Sequence, residues 1–239
     1  MLSRDDIVAR GPAGPAVNAA IYDKWFAPPP TRLLAYAMRA YRLDRLSVAD
    51  VGSSYGHALR HFGPGSYGVE INPEAAAWAT AVGLTTCTGD IETIAAPPVD
   101  AVWARDVIEH VDSPHLALRG MARLLKADGL AFVVAPLIGP GRLLGPLSAR
   151  FRGFEAKDHV SFFTAGTLRW TVKRAGFDIV EITIGKHRWL DRLAVTLTPQ
   201  CLVVARKIAD WDYDAKSARC LDGGRTARKD KALRAIGYD

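Results

Sequence analysis

The chain predicts an α/β fold, with a mostly parallel sheet of about seven strands and helices on both faces. Three observations predict it. Short apolar runs alternate with helical stretches from Val48 onward, and parallel strands need such crossovers. The first unit, VADVGSSYGHALRHFGPGSYGVE over Val48–Glu70, reads as strand, glycine turn, helix and strand, with an acid closing the second strand. A chain of 239 residues suits one sizeable core, and an apolar content of 49% is ordinary for a globular protein.

Residues 1–44 read as an N-terminal cap. Gly11–Pro15 and the Pro28-Pro29-Pro30 break precede a helix over Thr31–Tyr41. Val48, Ala49 and Val51 make a short buried strand, and Gly52 and Gly56 bracket a turn where a ligand can approach bare backbone. His57–Phe62 is long enough for one or two helical turns, and Tyr67, Gly68 and Val69 form the next strand. Glu70 closes that strand 18 residues after Gly52, placed to accept both hydroxyls of a ribose. This geometry implies a nucleoside cofactor. Val82–Cys87 is a third apolar stretch, followed by Thr88-Gly89-Asp90-Ile91, and Asp100–Ala104 is a fourth strand. Ser113 and Pro114 start a helix as N-cap and first residue. Leu116, Met121, Leu124 and Leu125 are its apolar face, Lys126 suits its C-terminal end and Gly129 its exit. Leu130–Pro136 is a fifth strand, and Phe177–Ile184 and Cys201–Lys207 are the last two. The core therefore spans 45–207, with an insertion at 137–160 and a basic tail at 208–239.

The turn argues against a dinucleotide. A G-x-G-x-x-G fingerprint would need glycine at three positions that here hold Gly52, Ser54 and His57. The pattern resembles motif I of the class I S-adenosylmethionine (SAM) methyltransferases instead, an acid and a hydrophobic residue followed by G-x-G-x-G. Asp50, Val51, Gly52, Ser54 and Gly56 match it, with Ser54 in place of the middle glycine. The bland alternative is an α/β turn that happens to hold two glycines. Asp106-Val107-Ile108-Glu109-His110-Val111 and His159–Thr164 (HVSFFT) resemble segments of a small-molecule branch that includes the quinone-pathway O-methyltransferases. The resemblance covers roughly residues 45–207 and rests on the order and spacing of four motifs. It implies a Rossmann-like methyltransferase fold with an antiparallel last strand, and SAM as cofactor. It also implies that Gly52, Ser54 and Gly56 touch the methionine end, Glu70 the ribose, and Asp90 with Ile91 the adenine. Asp50, Ile71, Arg105 and Asp106 complete the cofactor-binding set.

Several classes are excluded or set aside. Acids occupy MLSRDDIVARGPAGP where a signal peptide needs an apolar run, and the apolar run Leu130–Ile138 is too short to span a bilayer. Cys87, Cys201 and Cys220 are odd in number and lack metal-ligand spacing, so a reducing cytoplasm is the default expectation and Cys87 and Cys201 read as core residues. There is no Pro-Cys pair for cytosine C5 chemistry, and Pro97-Pro98 precede the fourth strand without an aromatic, unlike the exocyclic-amine DNA enzymes. The net charge of +6 could favour a nucleic acid, yet no RNA-binding module is evident, so a small-molecule acceptor is preferred. Leu137–Phe154, apolar and carrying Arg142, Arg150 and Arg152, reads as a substrate-site loop, with weak contact to a membrane surface as the sharper alternative. Nothing in the sequence determines the oligomeric state.

His110 and His159 are the candidate catalytic bases, as imidazoles that are neutral near physiological pH. Asp106, Glu109 and His110 stand at i, i+3 and i+4 and would share a face if that segment turned helical. Such a face suits Mg²⁺ or Mn²⁺ weakly, and some relatives use a similar acid-x-x-Glu-His group for a metal. The structural alternative, that Glu109 and His110 brace the cofactor-side loop, is the larger expectation. His57, His61, His115 and His187 read as solvent-facing, and Trp103 as core. Trp25 and Phe26 either close over a flat substrate or pack the cap. An NAD(P) oxidoreductase and a noncatalytic nucleoside-binding protein remain as alternatives from other classes.

Overall fold

The computed structural model describes residues 3–138, 158–184, 200–209 and Trp211. Most of the insertion, His187, Cys220 and nearly all of the tail lie outside the described residues. In chain order the elements are α1 (Arg4–Arg10), α2 (Pro15–Ile21), a π turn (Tyr22–Phe26), α3 (Arg32–Tyr41), β1 (Val48–Val51), β2 (Tyr67–Glu70), α4 (Pro73–Ala81) and β3 (Thr86–Thr88). β4 (Val99–Arg105), α5 (Pro114–Leu124), β5 (Leu125–Pro136), α6 (Ala165–Arg174), β6 (Phe177–Thr183) and β7 (Gln200–Lys207) follow.

The strands form one seven-stranded sheet in the order β3-β2-β1-β4-β5-β7-β6. The pairs from β3 to β5 are parallel. β7 runs antiparallel between β5 and β6, as expected for the last strand. β1 lies between β2 and β4, so the chain's direction of winding reverses there. A crevice opens at the carboxyl ends of strands at such a switch point.

Alternation along the strands feeds two cores. Val51, Val102, Ala104, Val133 and Ala135 face α5 and α6 through Leu118, Met121, Leu168 and Val172. Val48, Ala101, Trp103, Phe132 and Val134 face α3 through Leu33, Leu34 and Ala37. A third cluster joins the N-terminal segment to α4 through Ile7, Phe26, Trp78 and Val82. Asn18 locks this junction. Its amide Nδ2 donates to the carbonyls of Val8 (2.9 Å) and Gly11 (2.6 Å), and its Oδ1 accepts from Ala13 N and Trp78 Nε1, both at 3.2 Å.

Several expected boundaries move. His57–Phe62 holds only a 3-10 turn at Leu59–His61, because Gly63-Pro64-Gly65 gives a longer helix no room to continue. Val82 serves as the C-cap of α4, which leaves only Thr86–Thr88 for β3. α5 stops at Leu124 and passes directly into β5, where Asp128 (φ 60°) makes the left-handed step expected of Gly129. Leu116 is 45% exposed, while Ala117 and Leu118 take the buried face beside Met121 and Leu124. The helix begins as expected, with the Ser113 hydroxyl accepting from Leu116 N (3.3 Å) and Pro114 opening the first turn.

Candidate active site

The turn after β1 is built from strained and tightly fitted backbone. Gly52, Ser54 and Gly56 all have positive φ, at 69°, 48° and 85°. A Cβ on Gly52 would lie 2.6 Å from Val107 Cγ2, and one on Gly56 would strike Leu84 Cδ1. Ser54 thus adopts the left-handed conformation in which a middle glycine would be relaxed. Its amide is held by Glu70, whose Oε2 accepts from Ser54 N (2.6 Å) and Oε1 from Asn72 N (2.8 Å). The buried Glu70 carboxylate therefore ties the end of β2 to the turn after β1.

Asp50 is buried at the end of β1, and its Oδ2 has no hydrogen-bond partner among the described residues. Burial pushes its carboxyl up to about 8, a backbone hydrogen bond from Leu59 partly counters that, and the charge of Glu70 adds to it. An uncompensated buried carboxyl beside an open glycine turn fits a cationic ligand group. The ammonium and sulfonium of SAM are such groups, and the glycine that admits close backbone approach is the second half of the fit.

Around this turn lies a cavity of about 480 Å³. Asp50, Gly52, Ser53 and Ser54 form one wall, and Trp103, Arg105 and Asp106 another. Lys24, Trp25, Pro28 and Pro29 cover it from the N-terminal segment. That cover is pinned by Arg60, whose Nη2 donates to Pro28 O (2.8 Å) and Ala27 O (3.3 Å) and whose guanidinium lies 5.0 Å from the Phe26 ring centre. Phe26 is buried against Trp78, while Trp25 is 49% exposed beside Tyr55. Phe26 therefore packs the cap, and Trp25 lines the cavity. Trp103 is buried core and also lines the cavity.

On the other flank, Asp90 is exposed, with its Oδ1 accepting from Glu92 N (2.8 Å), and Ile71 is 70% exposed after β2. Ile91 packs its side chain into the main core, and its carbonyl lies against Gly120 of α5.

The segment after β4 turns without forming a helix. Asp106 takes φ 54°, pairs with Arg105 Nε (3.2 Å) and accepts from Gln200 Nε2 (2.5 Å). It is thereby separated from Glu109 and His110, and the shared helical face expected from the i, i+3, i+4 spacing does not form. Glu109 and His110 meet His159 instead. Their ligand atoms and that of His159 lie within 4.8 Å of one another, and the two imidazoles pack edge to face at 4.7 Å. The Glu109 carbonyl accepts from Val160 N (2.8 Å) and Ser161 N (3.0 Å), which brings the distant segment alongside. His110 Nδ1 lies 3.1 Å from the Asp158 carbonyl oxygen. Both Glu109 carboxylate oxygens are buried without a partner among the described residues, and burial pushes the group up to about 8. A carboxyl and two imidazoles at this spacing can hold a proton in a shared network or coordinate a cation.

His57, His61 and His115 are half-buried, which overturns their reading as solvent-facing. Burial holds all three below the ordinary imidazole range, His61 at about 4. His57 also lines the cavity. Its position, and those of Lys24 and the proline cover, depend on the N-terminal segment folding back over the turn. Cys201 is buried in the sheet, with its thiol pushed up to about 12 by desolvation, and Cys87 is partly buried against the same core.

A family model described as a methyltransferase domain matches residues 22–182. The comparison with curated proteins found no match. Among solved structures, a chain from the complex of a Haloferax volcanii methyltransferase activator with its proposed methyltransferase aligns at 18% identity. That alignment has a TM-score of 0.59 over 87% of this chain and 100% of the other. A SAM-dependent methyltransferase from Mesorhizobium loti aligns at 19% identity, with a TM-score of 0.52 over 72% and 98% of the two chains. A magnesium protoporphyrin IX methyltransferase from Synechocystis, solved with bound SAH, aligns at 17% identity and a TM-score of 0.52 over 73% and 80%. At these identities the structural likenesses speak for the fold. The family match covers well over half of the sequence, and the chain belongs to the methyltransferase-domain family.

Proposed function

We infer that the protein transfers a methyl group from SAM to a hydroxyl oxygen of a small-molecule acceptor. The observation that carries this reading is the loop from Arg105 to Val111. It joins the wall of the glycine-turn cavity, at Arg105 and Asp106, to the Glu109–His110–His159 group. A cofactor-sized site and a proton-accepting group thus share one short segment.

SAM, when bound, supplies an activated methyl group on a sulfonium. In the proposed site, Gly52, Ser54 and Gly56 offer backbone to the methionine end, Asp50 faces positive charge, and Glu70 accepts from the ribose hydroxyls. Asp90, Ile71 and Ile91 border the adenine, with Arg105 and Asp106 closing the site. The protein's own task is to hold the acceptor oxygen in line and take its proton. Alignment of this kind is worth roughly 7–11 kcal/mol in good cases. His159 or His110 accepts the proton, contributing about 10²- to 10⁴-fold. Glu109, kept protonated at neutral pH, adds no negative charge beside the developing oxyanion.

The test is calorimetry with SAM followed by turnover against a panel of phenols, alcohols and amines, for wild type, His110→Ala and His159→Ala. A base shows a large loss in kcat with SAM affinity retained. Near-normal turnover in both variants removes the histidines from the chemistry, and turnover confined to amines removes the oxygen assignment. A second reading is favoured by the two unpartnered oxygens of Glu109, which with two imidazoles make a donor set better suited to Mn²⁺ or Zn²⁺ than to Mg²⁺. Activity lost to a chelator and restored by one of these ions would select it.

A further inference from the structure

A second concave surface lies between the start of α5 and α6, away from the glycine turn. It is an open groove of about 920 Å³. Leu116, Val160, Phe162 and Trp170 line it and are 45%, 59%, 41% and 61% exposed. These are four of the eight large apolar side chains exposed among the described residues, gathered in one place. Scattered apolar residues need no explanation, whereas a contiguous group with a charged rim marks an interaction surface.

The charged residues that line the groove are basic, while the exposed Asp112 and Asp158 stand next to it in the chain. Neither α5 nor α6 contains an Asp or Glu. Arg119 and Arg174 line the groove, and Arg169 and Lys173 are exposed on α6. The Arg174 guanidinium lies 4.8 Å from the ring centre of Trp170, so the most exposed aromatic among the described residues carries a cation on its face. The backbone beneath the groove is already engaged. Val160 N and Ser161 N donate to Glu109 O, and Phe163 O accepts from Ile138 N. These three groups are not available to pair with an added peptide strand. An indole and cations surrounding an apolar floor are the chemistry of the headgroup region of an anionic bilayer.

We propose that this groove is a docking surface for an anionic membrane, into which Trp170, Leu116, Val160 and Phe162 dip while the arginines meet lipid phosphates. Phe162 lies 6.3 Å, ring to ring, from His159, so docking brings the bilayer next to the candidate proton acceptor. Residues 208–239 hold seven Lys and Arg against six Asp, so the charge that favours an anionic surface is that of the groove itself.

The experiment is co-sedimentation of the full chain with vesicles of phosphatidylcholine alone and of phosphatidylcholine with one-third phosphatidylglycerol. The expected result is binding to the mixed vesicles only, lost at high salt. Arg174→Glu, and the double variant Leu116→Ser with Trp170→Ser, weaken it by about tenfold. Circular dichroism and SAM affinity confirm that each variant is folded. Three results overturn the proposal. One is no binding to the mixed vesicles. Another is binding that both variants retain, which assigns it to the tail. The third is dependence on Trp170 for poly-glutamate binding or self-association in place of vesicle binding. No methyl acceptor enters the assay, so its outcome is independent of the catalytic assignment.

Discussion

At the scale of single residues, Glu70 and Ser54 define the site. Both oxygens of Glu70 accept backbone amides, one from Ser54 and one from Asn72, so the group that would read the ribose also shapes the turn beneath it. Each oxygen retains a second lone pair for a ligand hydroxyl. Glu70→Ala should weaken SAM binding by about 1.5–3 kcal/mol, the cost of losing charge-assisted hydrogen bonds. Unchanged affinity by calorimetry would show that the ribose lies elsewhere. Ser54 has φ 48°, a conformation that costs a residue with Cβ roughly 1–2 kcal/mol. Ser54→Gly should raise the melting temperature, because relief of that strain outweighs the small entropy gain of glycine in the unfolded chain. A lower melting temperature would mean that the hydroxyl makes a contact worth more than the strain.

At the scale of elements, the sequence was most legible where contacts are local. The strand–turn–strand unit through Glu70 depends on neighbours in the chain, and its glycines announce positive φ directly. The N-cap of α5 was legible for the same reason. The grouping of Glu109 and His110 with His159 was not, because it depends on the Glu109 carbonyl binding amides some fifty residues later. The helical spacing of Asp106, Glu109 and His110 misled because one residue at φ 54° breaks the helix that spacing presumes. A cap from residues 1–44 was expected, but the contacts that place it were not legible, since Asn18 and Arg60 reach across the fold. Asn18→Ala should therefore unpin α1 and α2 from α4. Four hydrogen bonds are lost and two carbonyls, an amide and an indole NH are left without that partner, a cost of about 2–3 kcal/mol. Limited proteolysis should cut the first 30 residues faster in the variant while the sheet persists. Equal cleavage rates would show that Phe26 and Ile7 anchor the segment by themselves.

At the scale of the whole molecule, the buried ionisable groups set how stability depends on pH. Asp50 holds its proton up to about 8 in the fold, against an ordinary value of 3.8 when unfolded. Between those values the folded state binds the extra proton, so unfolding releases it and rising pH favours unfolding. Glu109, also at about 8, acts in the same direction. His57, His61 and His115 act oppositely. Held below their usual 6.5, they are neutral in the fold while the unfolded chain takes protons, so their contribution to stability grows as pH rises towards 6.5 and is constant above it. Asp100, held at about 2 by Lys126 and Ser47, contributes a constant term at neutral pH. Among the described residues, the two carboxyls are therefore the groups whose shifts slope the stability curve between about pH 6.5 and 8. Unliganded protein should lose stability across that window, at up to about 1.4 kcal/mol per pH unit for each group. Denaturant melts at closely spaced pH values measure the slope. Asp50→Asn should roughly halve it, and adding Glu109→Gln should remove it, because neither amide titrates. A flat wild-type curve, or a slope that survives both substitutions, would mean that the carboxyls ionise normally in the fold and that Asp50 already carries its charge before any cationic ligand arrives.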